Sequence, residues 1–502
     1  MNDFALPSSL KNVHVHFVGI KGTGMAALVE IFCGRGAVVT GSDVSERFYT
    51  DEILEKLGIK PLAFSADNIT LDTSFVVYSS AYSLETNLDL IQAQKMKIPC
   101  LLYSKALGLY SSLSYSCGIC GVHGKTTTTG LCGTVFKELG LDGQVLAGSI
   151  ISSFGNSCTY TSPFLEGKDS SRNPPFFIAE TCEYQRHFMD FCPKKIILTS
   201  VESDHQDYYP SYNDILNAFV DYICKLPSGG DVIYCADDKG AEEAVIISKN
   251  KRPDLNCIPY GFNAEGDFRI IPGKLENGVQ HFSLGSGLNL GIRVPGLHNV
   301  KNAAAAVALS FCILKQAEKN PLDYSEKISS ALLKFCGGKR RCEIIGRSKN
   351  RFGQSVIFID DYGHHPTAIK TTLEGLKKFY AGRKIIVDFM SHTYSRTEAL
   401  LEEFSSCFSA ADQVIINKIY PSAREKKSDS SVSGELLAQK TSLHHREVFY
   451  CPEFDEAFCK GLSLLQKDSS AMFPEGFVFV TMGAGDNWKV GKMILEKMEC
   501  LD

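Results

Sequence analysis

The fold of this chain is decided by the stretch Gly121-Val122-His123-Gly124-Lys125-Thr126-Thr127-Thr128-Thr129. Residues 117–120 before it are typical of the end of a strand, and residues 130–136 after it are typical of a helix. A glycine loop between a strand and a helix binds phosphate, because its N–H groups and the helix N-terminus point at the anion. Lys125 would reach the β- and γ-phosphates, and Thr126 would ligate Mg²⁺. The sequence therefore predicts a site for ATP or GTP; the alternative is a glycine-rich structural turn.

Length and composition describe an ordinary globular protein of several domains. A chain of 502 residues is too long for one core, and its length suggests about three domains. The formal net charge of −5 gives no reason to expect nucleic acid or an anionic membrane as a partner. No apolar run reaches the roughly 18 residues of a membrane span, and residues 303–314 predict a buried helix instead. The N-terminus lacks the basic and apolar regions of a secretion signal, so we expect a cytoplasmic protein.

Strands and helices alternate along the whole chain, which predicts an α/β protein with three domains. Residues 1–110 form a Rossmann-like N-terminal domain with strands at 13–18, 37–43, 75–78 and 98–102. Residues 111–336 form a central P-loop ATPase-like domain with further strands at 176–179, 195–199 and 231–235. Residues 337–502 form a Rossmann-like C-terminal domain with strands at 356–359, 384–387, 413–416 and 477–482.

A second glycine turn, Gly19-x-x-Gly22-x-Gly24, follows the first strand. Asp43 ends the second strand, about where a ribose-binding acid belongs in a dinucleotide fold. The spacing differs from the usual G-x-G-x-x-G. A dehydrogenase turn, a site for another nucleotide pyrophosphate and a structural turn are the three interpretations.

Polar side chains follow two strands of the central domain. Glu180 ends one buried strand, and Asp204 and His205 follow the next. Open α/β sheets bind ligands beyond the carboxyl ends of their strands, so these residues are expected beside the phosphate loop. Glu180 and His205 would offer an oxygen and a nitrogen to a divalent ion; the alternative is a charged loop in which Asp204 caps a helix.

Two further motifs flank the second domain boundary. Asn299 and Asn302 are three residues apart, so they can both face one ligand such as adenine, or they can cap a helix. The run 339–341, Lys-Arg-Arg, is either a solvated basic segment or a source of a guanidinium aimed at a transferring phosphate.

Polar clusters follow three strands of the C-terminal domain, at residues 360–366, 392–397 and 483–486. Packing does not explain so many polar, aromatic and turn residues at strand ends. They predict a second face of the active site.

Taken in order, these motifs resemble the Mur ligases, the cytoplasmic ATP-dependent ligases of peptidoglycan precursor synthesis. The resemblance extends over nearly the whole chain. The family has a short phosphate loop, which accounts for Ile119 where the longer pattern has a glycine. The stretch Asp360-Asp361-Tyr362-Gly363-His364-His365-Pro366 is characteristic of the alanine-adding branch. The branch that reattaches recycled tripeptide is a close relative and remains the alternative.

The resemblance implies an activity. The chain would join L-alanine to the carboxylate of UDP-N-acetylmuramate through an acyl phosphate, with ATP and Mg²⁺. It would act as a monomer or weak homodimer, without nucleic acid or membrane.

The resemblance also implies a role for each motif. ATP would lie on Gly121, Val122, His123, Gly124, Lys125, Thr126, Thr127, Asn299, Asn302, Arg340, Asp360 and Asp361. The UDP-sugar would lie on Gly19, Gly22, Thr23, Gly24, Met25, Ser42 and Asp43. Thr126, Glu180 and His205 would hold metal. Catalysis would fall to Lys125, Glu180, His205, Arg340, His364, His392 and Arg396.

One departure and two competing functions bear on this hypothesis. Thr393 stands where the alanine-adding pattern often has Arg, which leaves the choice of amino acid open. A nicotinamide-dependent oxidoreductase would use the first domain but would leave the phosphate loop without a task. A nucleotide-driven switch would use the second domain but would leave residues 360–366 unexplained.

Overall fold

The computed structural model describes residues 4–7, 9–163, 165, 175–421 and 431–500. Within these residues the chain forms four sheets, of four, seven, three and six strands. Three of the sheets are wholly or mostly parallel, with helices between successive strands. The predicted α/β class is confirmed. The domain boundaries at 110 and 336 stay a prediction.

The first sheet is wholly parallel and has the order β2-β1-β3-β4. Its elements are β1 (His14–Val18), α1 (Thr23–Gly34), β2 (Val38–Ser42), α2 (Asp51–Lys56), β3 (Phe75–Tyr78), α3 (Leu88–Lys95), β4 (Cys100–Leu102) and α4 (Tyr103–Ser111). Val15, Phe17 and Val18 of the central strand β1 are fully buried. Burial of neighbouring residues is expected for a parallel strand covered on both faces.

The second sheet has the order β11-β10-β9-β5-β8-β6-β7, and only the β6–β7 pair is antiparallel. Its elements are β5 (Tyr115–Cys120), α5 (Lys125–Leu139), β6 (Gly143–Ile151), β7 (Ser157–Thr161), β8 (Phe176–Glu180), β9 (Lys195–Leu198), α6 (Tyr212–Ile223), β10 (Asp231–Cys235), α7 (Lys239–Lys251) and β11 (Asn256–Tyr260). Because β9, β5 and β8 are neighbours, the loops after them meet at one edge of the sheet.

An antiparallel sheet and two helices complete the central part. The elements are β12 (Ile270–Glu276), β13 (Val279–Leu284), β14 (Asn289–Ile292), α8 (Leu297–Gln316) and α9 (Ser325–Lys334). Among the described residues, α8 is the one helix long and apolar enough to cross a membrane, with a mean hydropathy of 1.3. The sequence predicts no span of this length. In the structure 78% of its most apolar window is buried inside the protein, as in a core helix.

The fourth sheet has the order β15-β16-β20-β17-β18-β19, and only the β15–β16 pair is antiparallel. Its elements are β15 (Glu343–Lys349), β16 (Ser355–Asp361), α10 (Pro366–Phe379), β17 (Arg383–Phe389), α11 (Tyr394–Ala399), α12 (Leu401–Ser406), β18 (Gln413–Ile416), α13 (Gly434–Ser442), β19 (Val448–Tyr450), α14 (Phe454–Leu465), β20 (Gly476–Met482) and α15 (Trp488–Glu499). The neighbours β16, β20 and β17 bring the three predicted polar clusters to one edge.

The C-terminal sheet contains a buried acid with an altered titration. Asp388 in β17 is 0% exposed, and its carboxylate accepts hydrogen bonds from the side-chain amides of Asn417 (3.0 Å) and Asn487 (3.1 Å). Burial raises the pKa of Asp388 to about 7, and the two amide hydrogen bonds offset only part of that effect.

We expect Asp388 to make the protein less stable as the pH rises from about 4 to about 7. Its folded pKa lies above the ordinary value of 3.8, so the folded state keeps a proton that the unfolded chain releases. The contribution changes by about 1.4 kcal/mol per pH unit in this window and is constant above it. Urea unfolding at several pH values should give Asp388→Asn a flatter profile than wild type. The exposed Asp323→Asn should keep the wild-type slope, and parallel curves for wild type and Asp388→Asn would contradict the expectation.

Candidate functional site

The phosphate loop lies between β5 and α5, as the sequence predicts. Gly121 (φ 130°) and Gly124 (φ 82°) have backbone conformations that favour glycine. A Cβ atom at Gly121 would come within 2.1 Å of the Thr199 hydroxyl. The N–H of Val122 donates to the Ser200 carbonyl (3.0 Å), and the N–H of His123 donates to the Ser200 hydroxyl (2.9 Å). The end of β9 therefore holds the loop in shape.

Lys125 is held by a carboxylate that the sequence motifs do not single out. Its Nζ donates to Glu183 Oε2 (2.9 Å) and to the Gly121 carbonyl (2.5 Å). Burial alone would lower the pKa of Lys125, but the Glu183 charge outweighs it and the pKa is raised. Burial would likewise raise the pKa of Glu183, but Lys125 brings it below its ordinary value. Both groups are therefore charged, and His205 Nε2 lies 3.4 Å from Glu183 Oε1.

Thr126 and Glu180 form a pair of oxygens beside the loop. The Thr126 hydroxyl donates to Glu180 Oε2 at 2.8 Å, and the same oxygen accepts from the N–H of Gly148 at 2.9 Å. A side chain at position 148 would strike this carboxylate, since a Cβ atom there would lie 2.3 Å from Glu180 Oε2. A hydroxyl and a carboxylate side by side are the donors that Mg²⁺ prefers.

Two adjacent arginines, Arg340 and Arg341, point in different directions. Arg340 Nε donates to Asp360 (2.9 Å), and its Nη2 donates to the Gly483 carbonyl (2.6 Å), so this guanidinium is committed within the C-terminal domain. Arg341 instead points to the phosphate loop, with Nη2 3.4 Å from the Thr126 hydroxyl. Arg341, rather than Arg340, therefore borders the phosphate loop, and the role of Arg340 in phosphate transfer stays a prediction.

The adjacent acids Asp360 and Asp361 are separated in the same way. Asp360 is bonded to Arg340 and to the Thr481 hydroxyl (2.8 Å), away from the predicted nucleotide position. Successive residues of a strand point to opposite faces of the sheet, so Asp361, at the end of β16, lies on the other face, where it lines a cavity that the phosphate loop also lines. Its carboxylate accepts from the N–H groups of Cys342 and Gly363, each at 2.8 Å.

The two asparagines at the start of α8 form a buried pair. Asn302 Nδ2 donates to Asn299 Oδ1 (3.1 Å), and Asn299 Nδ2 donates to the Pro295 carbonyl (2.7 Å). Asn302 lies against Gly124, where a Cβ atom would come within 2.8 Å of its Oδ1. The pair thus borders the phosphate loop.

The central and C-terminal domains are joined by a buried ion pair. Arg396 in α11 donates through Nε (3.0 Å) and Nη2 (2.9 Å) to Asp204 Oδ1 after β9. Burial would raise the pKa of Asp204, but the Arg396 charge holds it well below its ordinary range. The half-buried His364 also lies here, and the loss of solvation followed by the Arg396 charge keeps its pKa far below the ordinary value, so it is neutral. The pair brings the loops after β9 and β17 together.

All these loops surround one cavity of about 900 Å³. Its lining includes most of the predicted nucleotide, metal and catalytic residues: Val122, His123, Gly124, Lys125, Thr126, Thr127, Glu180, His205, Asn299, Asn302, Asp361, His364, His392 and Arg396. Three predicted residues do not line the cavity: Gly121, Arg340 and Asp360. The structure therefore brings together residues from two sheets that are far apart in the sequence.

The glycine turn of the first domain lies elsewhere. Gly24 borders a smaller cavity of about 130 Å³, whose lining also includes Glu180 and Cys182. These two residues line the large cavity as well, so they separate the two spaces.

The other predicted UDP-sugar residues shape the turn itself. Gly19 has φ 82° and donates its N–H to the Ser42 carbonyl, while Met25 is buried in α1. Gly22 precedes α1, and the Thr23 hydroxyl contacts Tyr49. Asp43 accepts from the Lys21 N–H (2.7 Å) and the Tyr82 hydroxyl (2.9 Å). A role for these residues in binding a UDP-sugar stays a prediction.

Comparison with protein families identifies matches along most of the chain. Residues 14–115 match the description "Mur ligase family, catalytic domain", residues 119–310 the "Mur ligase middle domain", and residues 340–485 the "Mur ligase, glutamate ligase domain". The three matches follow one another in the order of the three large sheets.

Individual relatives are similar over nearly their whole length. A UDP-N-acetylmuramate–L-alanine ligase of Treponema pallidum is 46% identical over 492 residues, which is 97% of each chain. The crystal structure of a UDP-N-acetylmuramate-alanine ligase from Thermotoga maritima aligns with a TM-score of 0.72 at 24% identity, covering 97% of this chain and 100% of that one. A MurF ligase from Thermotoga maritima in complex with ADP aligns with a TM-score of 0.58 at 14% identity, covering 88% and 98%.

Proposed function

The chain belongs to the Mur ligase family, and we propose that it joins L-alanine to the carboxylate of UDP-N-acetylmuramate with ATP. The observation that carries this proposal is the shared cavity. Lys125, Thr126 and Glu180 line one side of it, and His364, His392 and Arg396 line another. A carboxylic acid can be phosphorylated beside the phosphate loop and then attacked by an amine bound on the C-terminal side, without leaving the cavity.

The reaction needs activation because a carboxylate expels oxide poorly. A carboxylate oxygen of the muramoyl group forms a bond to the γ-phosphorus of ATP, and the bond to ADP breaks. The neutral amine of alanine then forms the amide bond to the acyl carbon, and phosphate leaves. Positioning and neutralisation of charge are the main tasks of the protein in such a transfer.

The chain supplies positive charge where the anions meet. Lys125 and Arg341 both point to the phosphate loop, so they offset the repulsion between a phosphate and a carboxylate. Lys125 must exchange its Glu183 partner for phosphate when the nucleotide binds. Neutral His364 lies beside Arg396, whose guanidinium is held by Asp204, so the incoming amino acid would meet a fixed arginine at this side of the cavity.

Magnesium fits the Thr126–Glu180 pair, because both donors are oxygens and lie next to the phosphate loop. His205 stands beside Glu183 and would serve a second ion. When bound, Mg²⁺ neutralises phosphate charge during transfer. ATP and a nucleotide-linked sugar are cytoplasmic metabolites, so we place the protein in the cytoplasm.

A panel of amino-acid substrates tests this function. Purified protein with ATP, Mg²⁺ and UDP-N-acetylmuramate should release phosphate only when L-alanine is added, with one ADP formed for each amide bond. Reactions that lack the sugar nucleotide, the amino acid or Mg²⁺ serve as controls. Phosphate release without any amino acid would refute the ligase function. A higher kcat/KM with L-alanyl-γ-D-glutamyl-diaminopimelate than with L-alanine would instead assign the recycling reaction.

A further inference from the structure

Three side chains to which the proposed mechanism assigns no chemical step, although His123 belongs to the predicted nucleotide site, meet where the central and C-terminal domains touch. They are His123 in the phosphate loop, Glu202 after β9 and His365 directly before α10. One nitrogen of each histidine and one oxygen of Glu202 all lie within 4.8 Å of one another. They come from loops far apart in the sequence, so only the folded chain assembles them.

Glu202 occupies the centre of this cluster. Its Oε1 contacts His123 Nε2 and lies 3.8 Å from His365 Nδ1. Its Oε2 accepts a hydrogen bond from the Thr367 hydroxyl at 3.0 Å, which orients the carboxylate. The two imidazole rings have centroids 4.9 Å apart.

A second observation points to a ligand. His365 is only 5% exposed, and its Nε2 is buried with no hydrogen-bond partner among the residues that the structure describes. A buried polar atom without a partner is costly and calls for an explanation such as a bound ion.

The protonation states suit metal binding. Burial lowers the pKa of His365, so its imidazole is neutral at pH 7. Burial would raise the pKa of Glu202, but its hydrogen bond to His123 brings it below the ordinary value. Neutral imidazole and ionised carboxylate are the forms that bind metal.

We propose that His123, Glu202 and His365 bind one zinc-like divalent transition metal, which ties the phosphate loop to the start of α10. Two imidazole nitrogens and one carboxylate oxygen form a ligand set typical of Zn²⁺, with a fourth position for water. Mg²⁺ prefers oxygen donors and would select the Thr126–Glu180 pair instead. The two sites therefore differ in ligand chemistry as well as in residues.

Such an ion acts as a clamp between domains. His123 and Glu202 belong to loops of the central sheet, and His365 belongs to the C-terminal sheet. A metal that binds all three stabilises the arrangement in which the two sheets face each other. It should raise the unfolding temperature of the whole chain, because it binds the folded state alone.

The probe for this site is Co²⁺, which absorbs visible light when four-coordinate. The full chain, free of nucleotide and Mg²⁺, should bind one Co²⁺ that Zn²⁺ then displaces. Glu202→Gln and His365→Gln should weaken binding by more than the roughly 10–100-fold cost of losing an outer partner of a metal ligand. His364→Gln, next to His365 but bonded to the Tyr362 carbonyl, and Glu180→Gln in the magnesium pair are matched controls that should keep it.

His365→Cys gives a positive signal that misfolding cannot imitate. A thiolate ligand should add a near-ultraviolet charge-transfer band to the Co²⁺ spectrum. No Co²⁺ spectrum with wild type, or unchanged affinity in Glu202→Gln and His365→Gln, would overturn the site. Loss of binding in Glu180→Gln would do the same, since it would place the ion at the phosphate pair. None of these results depends on the ligase reaction, so this proposal can fail while the proposed function stands.

Discussion

Lys125→Ala is expected to lower kcat by about 100- to 1000-fold, the cost of losing one group that stabilises developing charge. Lys125 is the cation of the phosphate loop, and its Nζ lies among loop carbonyls at the base of the cavity. The fall should appear in single-turnover rates of ADP formation, since the lost interaction is strongest during transfer.

The buried partner of Lys125 complicates this test. Glu183 is only 3% exposed, so removal of the lysine leaves an unpaired buried carboxylate and lowers stability. The double variant Lys125→Met/Glu183→Gln removes both charges and should recover much of the unfolding temperature without recovering activity. Lys137→Ala, on the exposed last turn of the same helix, is the matched control. Activity of the double variant near that of wild type would exclude a role for Lys125 in transfer.

Asp204→Asn is expected to destabilise the protein by about 3–5 kcal/mol. The substitution leaves Arg396, which is 7% exposed, without its counter-ion at the boundary between two sheets. Urea unfolding should show this loss, and the transition should broaden or split as the C-terminal domain separates from the central one.

A double-mutant cycle checks that the loss comes from the pair. Asp204→Asn/Arg396→Gln should cost clearly less than the sum of its single changes, because neither charge is left alone. Glu453→Gln, which breaks the exposed Lys418–Glu453 pair, should cost less than about 1 kcal/mol. An equally small loss for Asp204→Asn would show that water reaches Arg396 and replaces the carboxylate.

The sequence predicts strands well where apolar residues run continuously between turns. β1, β5, β9, β16 and β20 lie where the patterns place them, because buried parallel strands have a strong signal. The antiparallel strands β12, β13 and β14 are not predicted. β12 has exposed residues along most of its length, and β14 is only four residues long, so neither has a periodic apolar pattern.

For the candidate site, the sequence predicts the position of the site but not the direction of every side chain in it. Loop positions at the carboxyl ends of β5, β8 and β16 follow from the rules of parallel sheets, so the site as a whole is predictable. The choice between Arg340 and Arg341 is not, because it depends on how the chain turns before β15. Arg340 has a left-handed backbone (φ 56°), and its side chain points to Asp360 while that of Arg341 points to the phosphate loop. A single sequence carries no signal for this backbone conformation.

Contacts between residues that are far apart in the chain also cannot be predicted from this sequence alone. Glu183 lies only three residues after Glu180, yet nothing in the sequence around it indicates Lys125 as its partner. Glu202 and His365 meet only because two sheets face each other. An alignment showing that such positions vary together would be the signal for these contacts.

The thin wall formed by Glu180 and Cys182 has a consequence for inhibitor design. The cavities of about 900 Å³ and 130 Å³ share these two residues, so a molecule anchored in one reaches the other after a short distance. Two weakly bound fragments, one in each space, would gain affinity from a brief linker, because binding of the first raises the effective concentration of the second. A substitution in one cavity would then leave the contacts of such a compound in the other cavity unchanged.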